Sequence, residues 1–280
     1  MFRKLFKNRP ELKSERELGF MREAGKLVAA AHRLVREMAR PGVRTIDIDH
    51  AVEELYRTHG ATPLFKGYQV QTIKVPFPGC TCLSINEQVV HGIPGARVLR
   101  EGEILKVDTA CKLNGWCADA AATLPIGEVR PELQRLIKTA WETLEIAIVE
   151  LSRRRWWSEV ALRMQQHVER NGYTAVEQYV GHGIGRIMHE PPQVPNYVSR
   201  EVKKTDFRLE PGLVLAVEPM LNLGRAEVDV QRDHWTVVTR DRLPSAHVEH
   251  TLALTANGVE ILTADENPAI RTAAESAVAS

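Results

Sequence analysis

The sequence predicts an α+β protein built of two related α/β halves that face each other. Three observations point there. Leu99–Asp119 reads as a β-hairpin turning at Asn114-Gly115, because a type I′ turn needs positive φ at both central positions. The pattern Leu-x-x-Gly-x-x-Leu-x-Val-acid occurs twice, ending at Asp108 and at Glu218, 110 residues apart. A helix-rich segment and a Gly-rich, His-bearing stretch precede each copy, as a duplicated unit would have them.

Residues 1–13 read as a short basic extension, 14–264 as one domain, and the Ala/Ser-rich 265–280 as a flexible tail. Ser14-Glu15-Arg16-Glu17 is a capping box. It opens a helix whose apolar stripe takes in Phe20, Ala24, Leu27, Val28 and Ala31. Pro41-Gly42 ends it. Thr45 is the expected N-cap of a second helix reaching His59, with Gly60 as its stop. Residues 61–98 mix short β-like runs with Gly- and Pro-rich backbone around His91. The hairpin spans about 103–125, and Pro131 to Leu151 has helical periodicity. Arg153–Trp157 reads as a connector with its arginines in solvent and one or both tryptophans in the core. The competing reading is an RNA or ribosome contact. Ser158 is the expected cap of a further helix ending at Asn171-Gly172. His182 and His189 follow on loop or strand, and then strand-like runs carry Glu218, Trp235 and Glu249.

Composition narrows the function classes. With 44% hydrophobic and 26% charged residues among 280, a sizeable core is possible. A net charge of +1 favours neither nucleic acid nor membrane as a partner. No apolar run approaches the ~20 residues of a membrane span. The basic N-terminus lacks the apolar region of a secretory signal, so the cytoplasm is expected. Cys80, Cys82, Cys111 and Cys117 are expected to be packed thiols rather than disulfides in that compartment.

The hairpin register carries the chemistry. With Asn114-Gly115 as the loop, Leu113 faces Trp116, Ala110 faces Asp119, and Asp108 shares the face of Ala110. Asp108 and Asp119 become diagonal neighbours, about 7 Å apart at the backbone. Two carboxylates so placed repel unless a cation or a proton lies between them. Asp108, Asp119, Glu218 and Glu249 would carry four negative charges, which two divalent cations would balance. Oxygen donors with one imidazole, from His182, suit Mn, Fe or Co and accept Zn. Such a dinuclear site is a template for hydrolysis.

These residues resemble type I methionine aminopeptidases over about residues 12–263. The likeness rests on SINEQVVHGIP, the Asp108–Asp119 spacing, GHGIGRIMHEPPQV, VEPM and WTVVTRDRLPSAHVEHT. The resemblance implies the pita-bread fold, with a central antiparallel sheet and helices on its outer face. It implies removal of the initiator methionine from nascent chains whose second residue is small, through a metal-bridging hydroxide. Asp108, Asp119, His182, Glu218 and Glu249 match the metal ligands, and Glu218 also matches the general base. His91 and His189 match the histidines at the scissile bond, and Cys82, Phe77, Met188 and Trp235 match the methionine pocket. Met188 stands where the family commonly has an aromatic, His234 where it has glycine, and His247 where it has glutamine. Lys74-Val75 falls where an aromatic-rich stretch is common. A monomer without DNA or membrane partners is expected, with a transient ribosome contact as a further implication. The rival readings are an Xaa-Pro aminopeptidase or prolidase, and a non-catalytic pita-bread binding protein. HGIP and the Trp235 stretch favour methionine over proline specificity, and the complete ligand set favours an enzyme.

Overall fold

The computed structural model describes residues 10–70 and 75–264. The first nine residues of the basic extension, Lys74 and the tail 265–280 lie outside the described residues. The chain begins with helices α1 (Glu15–Met38) and α2 (Thr45–Thr58), then strands β1 (Thr62–Pro63), β2 (Thr81–Ile85) and β3 (Gln88–Val90). The hairpin is β4 (Glu103–Leu113) and β5 (Trp116–Ile126). Helices α3 (Pro131–Leu151) and α4 (Trp157–Arg170) follow. Next come β6 (Thr174–Ala175), β7 (Gly181–Gly183), β8 (Glu190–Val194), α5 (Arg200–Lys204), β9 (Val214–Val217) and β10 (Met220–Asn222). The last strands are β11 (Val228–Val230), β12 (Val237–Thr239), β13 (Ser245–His247), β14 (Glu249–Thr255) and β15 (Gly258–Ile261).

The main sheet is antiparallel, in the order β1-β4-β5-β14-β9-β7-β8, with β2 also on β4 and β15 on β14. Asn114 (φ 53°) and Gly115 (φ 84°) turn the hairpin, and Leu113 pairs with Trp116 and Ala110 with Asp119. Alternation then sorts the two faces. Leu105, Val107, Ala118 and Ala120 pack with Leu27, Val28, Ile48 and Val52 of the first helix pair. Val217 and Leu252 pack with Leu136, Leu144 and Met164 of the second. Each helix pair thus covers one half of the sheet, and the intervening residues, Asp108, Asp119 and Glu249 among them, face the other way. The repeated pattern lands as expected: Asp108 lies on β4 and Glu218 one residue past β9. These strands flank the central β5–β14 pair on either side.

Three local expectations need correction. Phe20 lies on the flank of the α1 stripe and is exposed; Leu18 and Met21 are buried in its place. Leu18 and Met21 pack with Trp116, Ile184, Val214 and Leu262, and that contact decides which side of the first turns is covered. Arg44, not Thr45, is the N-cap of α2, and Thr45 instead bonds the backbone of Gly95 in both directions. Trp156, not Ser158, is the N-cap of α4; Glu159 reaches back to the N–H groups of Trp156 and Arg155. The Ser158 N–H is taken by Asp206.

The arginine–tryptophan connector divides as expected. Trp157 is buried, stacks on Phe207 at 5.9 Å and donates its indole N–H to Pro195, while Trp156 is exposed. All four cysteines are free and buried. Cys111 pairs with Ala118 and Cys117 with Lys112, so the two sulfurs point to opposite faces of the hairpin. Among the described residues no helix is long and apolar enough to cross a membrane.

Candidate metal centre

Five strand or strand-end positions converge on the inner face of the sheet. Asp119, His182 and Glu249 offer ligand atoms that all lie within 4.8 Å of one another. Glu218 Oε1 is 3.8 Å from His182 Nε2. Asp108 is diagonal to Asp119, facing Ala121, and its carboxyl feels both Asp119 and Glu218. The sequence singled out all five, and the fold gathers them from β4, β5, β7, the β9 end and β14.

The register explains how they meet. Glu249 and His250 pair with Ala121 and Ala120, which joins the two halves beside Asp119. Thr251 fastens this seam by donating to the Asp119 carbonyl and accepting from its N–H. His182 pairs with Ala216 of β9, two residues before Glu218. Gly181 allows β7 that close: a Cβ there would sit 2.3 Å from the Ala216 carbonyl oxygen.

The group fits a divalent cation. Asp108 Oδ1, Asp119 Oδ1 and Glu249 Oε1 are buried with no hydrogen-bond partner among the described residues. Each would cost folding free energy if left so, since a buried charge needs a partner. Burial, then the neighbouring carboxylates, raises the pKa of Asp108 and Glu249 well above the usual range, and burial raises Asp119 and Glu218 as well. His182 Nδ1 lies 2.9 Å from the Gly183 carbonyl, which can only accept, so Nδ1 carries the proton. Nε2 then turns a lone pair toward the carboxylates. Burial lowers the His182 pKa to about 4, which keeps it neutral and ligand-competent. Lone pair facing carboxylate at 3.8 Å is repulsive unless a cation lies between them.

An apolar cluster adjoins the carboxylates. Phe77, Cys82, Met188 and Trp235 pack together, with Phe65 and Ala110. Cys82 is the cross-strand partner of Asp108, which fixes these apolar side chains against the carboxylates. His189 stands 4.4 Å from His182, ring to ring. His91 has φ 58° and lies edge-on to Trp235 at 6.3 Å; burial first, then His247 and His189, lowers its pKa to about 4. Val75 is exposed, and its carbonyl accepts the Trp235 indole N–H. His234 is exposed with φ 70°, a backbone conformation that glycine adopts more readily.

Sequence reasoning missed three contributors. The Tyr68 hydroxyl is 2.8 Å from His189 Nδ1, and the Tyr179 ring lies edge-on to His91 at 5.6 Å. Phe65 packs in the apolar cluster beside Phe77 and Trp235. Tyr68 and His189 are 121 residues apart, and no local pattern links them.

The model of metallopeptidase family M24 matches residues 19–256. Methionine aminopeptidase 1 of Bacillus subtilis is 41% identical over 251 residues, 90% of this chain and 98% of that protein. Methionine aminopeptidase of Clostridium perfringens is 42% identical over 252 residues, 90% and 98% of the two chains. The crystal structure of methionine aminopeptidase from Thermotoga maritima superposes with a TM-score of 0.85 at 39% identity, covering 91% of this chain and 99% of that one.

Proposed function

The chain belongs to metallopeptidase family M24, and from that premise we propose that it is an aminopeptidase removing N-terminal methionine. The observation that carries this reading is the buried carboxylate–imidazole cluster directly beside an apolar, sulfur-bearing side-chain cluster. Membership implies use of a divalent metal. Asp108, Asp119, His182, Glu218 and Glu249 would hold it, and four carboxylates around one neutral imidazole balance two ions. Bound there, two divalent ions supply Lewis-acid polarisation of the scissile carbonyl and a water made acidic.

The chain's own groups do the rest. Phe77, Cys82, Met188 and Trp235 take the methionine side chain; apolar and sulfur-bearing surfaces suit a thioether. His189, with Nδ1 engaged by Tyr68, directs Nε2 to the scissile carbonyl oxygen, where a donor stabilises developing negative charge. His91, edge-on to Trp235, contacts the substrate near the same bond. Glu218, whose pKa burial raises, takes up a proton and returns it to the departing amine. A small second residue is expected, and nascent chains in the cytoplasm are the proposed substrates.

The test is cleavage of Met-Ala-x peptides with and without chelator, and again with Asp108→Ala. Loss in both cases, with recovery on adding Mn²⁺ or Co²⁺ to the native protein, is expected. Preference for x-Pro peptides, or activity persisting without metal, would overturn the reading.

A further inference from the structure

His247 is the departure from the family pattern that lies deepest in the molecule. Its ring is buried, and neither ring nitrogen has a hydrogen-bond partner among the described residues. Buried nitrogens without partners are rare and call for a reason. The backbone leaves the ring little choice of place. Thr123 Oγ1 accepts from the His247 N–H at 2.9 Å and donates to its carbonyl at 2.7 Å, while β13 sets His247 opposite Met220. Met220 is two residues past Glu218. The ring is thereby aimed at the Glu218 carboxyl, with Nε2 3.6 Å from Oε2.

Glu218 is then held between two imidazoles, His182 Nε2 facing Oε1 at 3.8 Å and His247 Nε2 facing Oε2 at 3.6 Å. Their roles differ. His182 spends its proton on Gly183 and offers a lone pair. His247 has no carbonyl on either nitrogen, so its N–H can stand on Nε2 and point at Oε2. At 3.6 Å the contact is longer than a hydrogen bond, and a small rotation of the carboxyl closes it, as happens when a site takes up its ligands. Lys106 closes the far side. It is buried, pairs across the strands with Thr123 and donates Nζ to the Asn86 carbonyl at 2.6 Å.

We propose that His247 is a positioning residue for Glu218: its Nε2–H donates to Oε2 and sets the carboxylate for both ligation and proton transfer. The inference rests on the function proposed above. It assigns Oε2 of Glu218 a donor.

Four proteins test it: native, His247→Gln, His247→Leu and His247→Asn. Two readouts are taken, Mn²⁺ titration calorimetry of metal-free protein and steady-state cleavage of a Met-Ala-x peptide. Gln keeps a donor at comparable reach; Leu has none, and Asn is too short to reach. Supporting groups behind metal ligands are worth about ten- to a hundredfold in affinity or rate. His247→Leu and His247→Asn should lose at least about tenfold in Mn²⁺ affinity and in kcat, with KM within about twofold, and His247→Gln should keep both within about threefold. Should the leucine variant fail to fold, the asparagine variant gives the same comparison. Native behaviour of the Leu or Asn variant, or a Gln variant as impaired as they are, would overturn the proposal. A native protein that binds Mn²⁺ but does not cleave the peptide refutes the function, and the affinity series still decides the role of His247.

Discussion

Lys13 and Glu190 stand 177 residues apart and form a buried ion pair, Nζ to Oε2 at 2.6 Å. The other carboxylate oxygen of Glu190 accepts from the N–H groups of Arg186 and Ile187. Glu190 directly follows His189, and the loop it fastens carries Met188 into the apolar cluster. The N-terminal segment therefore braces the substrate side of the site. Removing one partner of such a pair strands a charge in the interior. Lys13→Met should cost about 3 kcal/mol or more in unfolding free energy and raise KM for methionyl peptides. Denaturant unfolding and steady-state kinetics measure the two effects, and an unchanged midpoint would refute the bracing role.

Tyr68 acts on the same loop from the opposite side through its bond to His189 Nδ1. It is only half-buried, so its hydroxyl contributes more to orientation than to stability. Tyr68→Phe should lower kcat/KM by about three- to tenfold, the worth of one hydrogen bond, with little change in Tm. A Tyr68→Phe enzyme with native kcat/KM would show that His189 is held by packing alone.

How much was readable beforehand follows from the range of the interactions. Asn114-Gly115 sets the hairpin register locally, and that register alone puts Asp108 diagonal to Asp119. The duplicated pattern carried Glu218 to the matching outer strand. Motif resemblance brought in His91, His189 and the pocket. The helix caps were misassigned by one or two residues because Trp156 and Arg44 supply no side-chain acceptor to recognise. Lys13, Tyr68 and Lys106 were invisible for another reason: each acts on a partner across the fold, and nothing in its own neighbours marks it.

The metal-free protein should lose stability as pH rises above neutrality. Burial raises the pKa values of Asp108, Asp119, Glu218 and Glu249, so the folded state keeps protons that the unfolded chain releases near pH 4. Their contribution is full below that pH and is lost as pH climbs through the raised folded values. His182 and His247 run the other way. Burial lowers them to about 4 and about 3, so the unfolded chain gains protons below about pH 6.5 and acid destabilises the fold. The two trends oppose each other in acid. Above pH 6.5 the carboxylates act against Lys106, whose pKa burial lowers to about 7 so that it favours the fold as pH rises, and several raised carboxyls outweigh one lysine. Tm measured in chelator should therefore fall between pH 6.5 and 8.5, and excess Mn²⁺ should remove most of that fall. Asp108→Asn should flatten the chelator curve while abolishing the metal effect. A chelator curve that is flat or rising over this interval would contradict the carboxylate account.

Gly181 and Gly19 separate close approach from mere composition. A Cβ on Gly181 would lie 2.3 Å from the Ala216 carbonyl oxygen and 3.1 Å from the Val194 Cβ. Neither neighbour is the end of a flexible chain, so β7 would have to move away from β9. His182 is the next residue, and its Nε2 would leave the carboxylates. Gly19 lies within α1 with nothing within 4 Å of its added Cβ, and an alanine there favours the helix by about 0.5–1 kcal/mol. Gly181→Ala should destabilise the fold by more than about 1 kcal/mol, the scale of overpacking, and weaken Mn²⁺ binding. Gly19→Ala should raise Tm slightly and leave binding untouched. If Gly181→Ala binds Mn²⁺ with native affinity, the spacing of β7 and β9 does not set the position of His182.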